Sequence, residues 1–437
     1  MLVHNTYREA GGEDIVFESE KRLLERTGHT VITYVRSNTE LLKSSFLNQI
    51  FITPEIIWSS KTRHEFAGIL EAERPDIVHV HNTFMMISPS IYSACSERGI
   101  PVVQTLHNFR LLCPAGSFFR DGSICKECVD QTLFRSILHG CYRNSRAATA
   151  SVALMLAFHR AIDTWRLSVT RFIALTEFAK HKFIAAGFPS DKFVVKPNFA
   201  DPDPCERVNT GEYAVFIGRL VENKGVKVLL NAWKNLHLNY PLHIVGEGPD
   251  REALETEVHE AQLSGITFRG RLSRAAALDI VKGARFTIVP SILYEGFPMS
   301  IVESFACGTP VLCSRLGGLT EIVEDHLTGL HFNPGDAQDL ASKVAWAWNH
   351  PAELNKMGHE ARDRYETCYT AEKNYSLLME IYEQALATCA SERPAMPKLR
   401  DVQLESKIEN PGRGQRHSVE SCSLNEAPQK MKSEIQN

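Results

Sequence analysis

The chain has 437 residues, 43% of them hydrophobic and 23% charged, with a formal net charge of -4 at pH 7. That length exceeds one ordinary core and leads to two domains; the charge balance argues against general nucleic-acid binding, and no apolar run approaches the ~20 residues that span a bilayer. The opening residues lack the charged segment and cleavage site of a secretory signal, and the eleven cysteines read as thiols or metal ligands rather than disulfides, so the expectation is a cytoplasmic protein.

Short apolar strands alternate with helical segments along the chain, the pattern of parallel sheets covered by helices. A first series of strands is expected at 2–4, 31–35, 77–81, 102–107, 172–176 and 193–196, with a helix over 14–27. The proline- and aspartate-rich run 196–204 marks a boundary. A second series is expected at 214–218, 243–246, 266–268, 286–290 and 310–313. The fold class is therefore α/β, with two doubly wound, Rossmann-like domains over 1–198 and 199–370 facing a cleft. Ligands in such sheets bind at the carboxyl ends of the strands. Helical patterns then run over 337–348, 352–365 and 371–387, and the polar stretch 388–437 reads as a disordered tail.

The most informative stretch is 294–309, YEGFPMSIVESFACGT. It places Glu295 in the turn above a strand and Glu303 about two helical turns further on. Between them Phe297, Met299 and Ser300 offer main-chain amides at the positive end of a helix, which suits a phosphate. Pro298 has no N–H and cannot contribute. Two carboxylates flanking an anion cradle can hold neutral hydroxyls, so the combination points to a nucleotide sugar. Upstream, Arg219 and Lys224 in FIGRLVENKGV stand five residues apart, after a strand and before a helix. Both can reach a diphosphate there. His107 ends a first-domain strand and faces the cleft. His79 and His81, alternating on the strand before, read as cleft lining rather than a metal site, since no partner carboxylate accompanies them. The Gly11-Gly12 loop after the first strand can bring backbone close to a ligand.

Glu-x7-Glu followed by ACGTPV and GGLTEIV, and preceded by GRLVENKGV, resembles the signature of the family 4 glycosyltransferases, retaining enzymes of the GT-B fold. The resemblance runs from about residue 2 to about residue 386 and implies that the last helix crosses back onto the first domain. It implies that Arg219 and Lys224 hold the donor diphosphate and stabilise the departing nucleotide. Glu303 would take both ribose hydroxyls, and Glu295 hydroxyls of the transferred sugar. His107 would lie beside that sugar. The main chain at Gly270-Arg271-Leu272 would read the base, leaving UDP and GDP both open. The mechanism implied is a front-face substitution, in which the leaving phosphate helps take the acceptor's proton and no catalytic cofactor is needed. The acceptor would be a glycan or a lipid-linked sugar of surface polysaccharide assembly. A catalytically silent nucleotide-sugar-binding subunit, or another GT-B enzyme such as an epimerase or phosphorylase, are the alternatives.

Two features stand apart. Cys113, Cys125, Cys128 and Cys141 form C-x11-C-x2-C-x12-C, which suits a closed structural zinc site; reduced thiols or a disulfide stay open beside it. Between 132 and 182, Arg135, Arg143, Arg146, Arg160, Arg166, Arg171, Lys180 and Lys182 face only Asp163 and Glu177, with Ile137, Leu138, Val152, Leu154, Met155, Leu156 and Phe158 interleaved. Such a segment either docks on anionic lipid at the inner face of a membrane or is a helix with a solvated face.

Overall fold

The computed structural model describes residues 1–7, 11–43, 54–208, 211–236 and 240–392. The first lobe holds β1 (Leu2–Thr6), β2 (Thr33–Ser37), β3 (Val78–Val80), β4 (Val102–Leu106), the short hairpin β5 (Phe119–Arg120) and β6 (Ser123–Ile124), β7 (Arg171–Ala174) and β8 (Phe193–Val195). Six of these form one parallel sheet in the order β2-β1-β3-β4-β7-β8. Strands such as Val78–Val80 and Val102–Leu106 are buried along their length, which is why they read as continuous apolar runs rather than alternating ones.

The second lobe holds β9 (Tyr213–Ile217), β10 (Leu242–Val245), β11 (Ile266–Gly270), β12 (Ala284–Val289), β13 (Val311–Ser314) and β14 (Gly329–Phe332). Its parallel order is β11-β10-β9-β12-β13-β14. In each sheet the direction of winding reverses once, between β1 and β3 and between β9 and β12. The crevice above such a reversal is where ligands of doubly wound sheets bind. The loops that carry Gly11, His81, Arg219 and Glu295 all rise from those four strands.

The sequence missed β14 and the β5–β6 hairpin, and it placed β2 two residues early. The register begins where Leu2 N–H bonds Ile32 O at 2.8 Å, so the paired strand starts beyond it. The helix Ala371–Glu392 lays Leu378, Ile381 and Ala385 on Leu2, Phe17, Val103 and Ile173, the under-face of the first sheet. This corrects the expected start of a disordered tail at 388, because the helix continues to Glu392; the remainder of that expectation lies outside the described residues. No described helix is long and apolar enough to cross a membrane.

Candidate functional site

Two loops of the second lobe are locked together at the switch point. After β9 the chain passes Arg219 and makes a 3-10 turn, Glu222–Lys224. It then takes Gly225 at φ 74°, where a Cβ would fall 1.8 Å from Pro290 O, so only glycine lets the two loops approach this closely. Ile292 N–H bonds Asn223 O at 3.0 Å across the same junction. The result is that Lys224 Nζ donates to both oxygens of Glu295, at 2.6 and 2.9 Å, and the Ser291 hydroxyl donates to the same carboxylate. Arg219, in the loop after β9, is exposed.

The helix Met299–Ala306 begins after Pro298, whose missing N–H costs nothing at a helix start. Met299 and Ser300 occupy its first turn, where amides have no partner inside the helix. Phe297 precedes the turn; its side chain is buried, and its carbonyl accepts from Asn198 Nδ2 at 3.4 Å. Glu303 falls in the second turn. It does not serve the helix dipole there; Arg274 Nε donates to its Oε1 at 2.8 Å, while Arg274 Nη1 donates to Asp201 O at 2.5 Å. Burial pushes the Glu303 carboxyl above its ordinary pKa and Arg274 pulls it back. Leu272 packs partly buried beside Val215, Val245 and Ala284, holding the backbone that follows β11.

The first lobe closes on this from the other side. His107 directly follows β4, and a Cβ at Gly296 would fall 2.3 Å from His107 O, so the Glu295 turn rests on the histidine's backbone. Gly12 lies against Met299. The helix Gly12–Arg26 starts earlier than expected, with Gly11 as its cap, and Gly11 N–H is taken by Asp14 Oδ2 at 2.7 Å. Of the glycine pair, Gly12 is therefore the one whose amide is left for a ligand by this capping box. Behind it sits Glu13, which sequence reasoning missed. It accepts from Asn82 Nδ2 at 3.0 Å and Asn108 Nδ2 at 3.3 Å, and burial pushes its carboxyl up to about 7.

The histidine pair needs a correction. His79 and His81 are buried, and a carboxylate does accompany them. Glu20, Oε2 side, lies 3.3 Å from His81 Nε2 and 3.9 Å from His79 Nδ1. The signal was available in sequence. Val16, Phe17, Leu23 and Leu24 are the buried stripe of their helix, and Glu20 falls on that stripe, three or four residues from each. His79 lines no cleft; its ring is spent on Tyr382 and Thr105, both at 2.8 Å.

The sequence contains Asp201-Pro202-Asp203, but both carboxylates are engaged, with Arg26 and Arg362, each at 2.7 Å. The described cysteines are free thiols. The Cys128 thiol beside Cys113 lowers the Cys113 pKa to about 6, and Cys125 and Cys141 are near enough to act on Cys128. Among the described residues, the three ligand-type groups found within 4.8 Å of one another are Glu20, His79 and His81; the cysteine sulfurs are spread more widely. The basic segment divides. Val152, Met155 and Leu156 belong to the core rather than to a surface, and Arg160 is spent on the carbonyls of Leu111 and Leu112. The exposed apolar side chains are instead Phe134, Leu138, Leu154, Phe158, Ile162 and Leu167.

Residues 10–204 match the Glycosyltransferase Family 4 and residues 201–364 match the Glycosyl transferases group 1. A glycosyltransferase of Methanocaldococcus jannaschii is 34% identical over 40% of this chain and 50% of its own length. The D-rhamnosyltransferase WbpZ of Pseudomonas aeruginosa is 30% identical over 36% of this chain and 42% of its own. The chain thus spans about half the length of the curated relatives it matches. Among solved structures, Anabaena HepE in complex with UDP aligns with a TM-score of 0.62 at 17% identity, over 89% of this chain and 99% of that one. A sucrose-phosphate synthase of Thermosynechococcus elongatus aligns with a TM-score of 0.66 at 18% identity, over 89% and 98%. These likenesses establish the GT-B fold.

Proposed function

The chain belongs to the family 4, group 1 glycosyltransferases, and from that premise we propose that it moves a sugar, with retention, from a nucleoside diphosphate to a glycan or lipid-linked acceptor. One observation carries the reading. Lys224, Glu295 and the amide end of the helix Met299–Ala306 converge above the β9/β12 reversal, and His107 and Gly12 of the other lobe abut them. Lys224, with Arg219, meets the charge that grows on the diphosphate as the sugar leaves. Glu303 binds the ribose hydroxyls once Arg274 yields one carboxylate oxygen. Glu295 orients the sugar while held by Lys224 and Ser291. The ordinary retaining route needs a second carboxylate as nucleophile about 5 Å from the first. Glu13, a half-buried carboxyl on the His107 side, accepts from Asn82 and Asn108; in our reading it is not the nucleophile, and the departing phosphate takes the acceptor's proton on the same face.

UDP complexes among the structural neighbours favour a UDP-sugar over a GDP-sugar. O-antigen mannosyltransferases among the relatives favour surface polysaccharide as the setting. The apolar side chains exposed between Phe134 and Leu167, beside exposed Arg135, Arg143 and Arg166, favour contact with an anionic membrane surface. The test is a thermal-shift screen of UDP, GDP and their sugar conjugates, with Glu303→Ala as control. A ligand at 100 times its Kd adds about 2.7 kcal/mol of stability. One nucleotide that raises Tm in the native protein and not in the variant supports the reading. A shift that survives in Glu303→Ala, or no shift with any nucleotide, overturns it.

A further inference from the structure

Beneath the candidate site runs a chain of titratable side chains that the transfer reaction, as derived above, does not use. Lys196 Nζ donates to Glu20 Oε1 at 2.5 Å, with both side chains 1% exposed. Glu20 Oε2 lies 3.3 Å from His81 Nε2, and His81 Nδ1 lies 3.0 Å from His107 Nε2. The rings of His81 and His107 stack at 5.2 Å. Glu20 Oε2 and His81 Nε2 are both buried, and neither completes a well-aligned hydrogen bond with any described group; their 3.3 Å approach makes each the other's charge partner. A metal ion is disfavoured at this cluster. Lys196 already neutralises Glu20, and both nitrogens of His79 are bonded elsewhere.

Donor and acceptor roles along the chain follow from the charge on Glu20 and from these approaches. Burial works against a charge on Glu20, yet the Lys196 ammonium and His81 hold its carboxyl well below the ordinary range. A carboxylate has no proton to give, so His81 must present Nε2–H to it. The Nδ1 of His81 is then bare and can only accept, which obliges His107 to carry its proton on Nε2. What remains on His107 is a bare Nδ1, to which no described side chain or backbone group is bonded. Burial keeps both rings neutral. The other titratable groups packed around this chain are His4, held by Asp14 at 2.8 Å, and His79 with Tyr382. Neither bonds to His107.

We propose that Glu20, anchored by Lys196, is a positioning residue that fixes the tautomer of His107 through His81, so that Nδ1 of His107 accepts a hydrogen bond from a hydroxyl of the bound sugar. This rests on the proposed transferase reading for its consequence, but not for its geometry. The protein builds a buried ion pair beside a reacting centre because a neutral histidine left alone populates both tautomers, and only one of them can receive a hydroxyl proton.

The test reads the tautomer directly. In the full chain labelled with 15N-histidine, without donor, His107 (assigned with His107→Gln) is expected as the neutral Nε2–H form at neutral pH. In Glu20→Gln the amide can donate to His81, both relays become available, and a mixture of His107 tautomers is expected. Because Glu20→Gln leaves Lys196 unpaired, the double variant Glu20→Gln/Lys196→Met is measured beside it to separate tautomer loss from unfolding. In steady state, kcat falls about 10- to 100-fold in both, with donor KM within about twofold, as outer-sphere partners of a histidine commonly behave. Glu20→Asp, which keeps the charge, recovers part of it. Adding His107→Gln to Glu20→Gln costs no more than His107→Gln alone. An Nδ1–H tautomer for His107 in the native protein, or an unchanged spectrum in both Glu20 variants, overturns the proposal. If no sugar is transferred by the native enzyme, the transferase reading fails, and the spectra still decide the relay.

Discussion

Lys224 Nζ and Glu295 Oε1, 71 residues apart in the chain, lie 2.6 Å apart where two loops meet. The cation proposed for the diphosphate and the carboxylate proposed for the sugar thus satisfy each other before any donor arrives. An incoming diphosphate must share Lys224 with Glu295, and the pair holds both side chains in place at the cost of that competition. Two opposite effects follow. Lys224→Met should weaken UDP binding about 10- to 100-fold, the range of a lost charge-assisted hydrogen bond. Glu295→Gln should strengthen binding of UDP itself by a few-fold, because Lys224 is released, while sugar transfer collapses. Isothermal titration with UDP on the two variants checks this; weaker UDP binding in Glu295→Gln would mean that the pair orders the loop instead of competing with the ligand.

Glu13 makes the stability of the first lobe depend on pH in a defined direction. Burial raises its carboxyl to about 7 in the folded state, against about 4.3 in an unfolded chain. The folded state therefore binds the extra proton between those values. Its stabilising share is present in full below the unfolded pKa and is lost as pH rises through the folded one. Glu13→Gln, which mimics the protonated form, should melt close to the native protein at pH 5 and above it at pH 8, by on the order of 2 kcal/mol. Melting curves at the two pH values decide it. A difference that does not grow with pH would place the ionised form of Glu13 in the folded state, held by Asn82 and Asn108.

The fold was legible because buried parallel strands are continuous apolar runs, and the site because its loops leave fixed strand ends. Lys224, Glu295 and His107 were placed at strand ends in that way, and Glu303 in the helix that follows. What stayed hidden depends on distant chain segments. That Arg274 occupies Glu303, or that Glu20 reaches His81, requires knowing which helix covers which strand. Periodicity gives the face of a helix but not its neighbour. Glu20 was nonetheless marked by its place on an apolar stripe, where an ionised residue needs a buried partner. Within 132–182 the helix Arg146–Ala161 answers to the solvated-face alternative, with Val152, Met155 and Leu156 turned to the core of their own lobe.

The same segment also leaves several apolar side chains exposed. The helix Arg146–Ala161 exposes Leu154 and Phe158 one turn apart. Phe134, Ile162 and Leu167 are exposed as well, the last 76%. Exposed Arg135, Arg143 and Arg166 accompany them. Apolar insertion plus attraction to anionic headgroups, about 1 kcal/mol for each basic residue near the surface, predicts cosedimentation with vesicles rich in anionic lipid at low salt. Neutral vesicles should retain far less. Phe134→Ser with Leu167→Ser should lower the bound fraction several-fold without moving Tm. Equal binding by that variant, or no binding at low salt, would leave this face to water or to a protein.

The cysteine loop beside His107 gives the last prediction. Cys113, Cys125, Cys128 and Cys141 are free thiols close enough to influence one another's titration, Cys128 raising the acidity of Cys113. Cys125 N–H bonds Phe118 O at 2.7 Å, which ties the two arms of the β5–β6 hairpin. A tetrahedral zinc site with Zn–S near 2.3 Å needs its sulfurs about 3.8 Å apart, tighter than this free-thiol arrangement, so metal would draw the hairpin in around Cys113 and Cys128. We expect about one zinc per chain in protein purified anaerobically, and its removal by a chelator should lower Tm. Cys125→Ser should lose both the metal and the chelator effect, while UDP binding persists, because the loop flanks the site without entering it. Elemental analysis is the deciding measurement. Metal-free protein with the native Tm would assign the four thiols to packing alone.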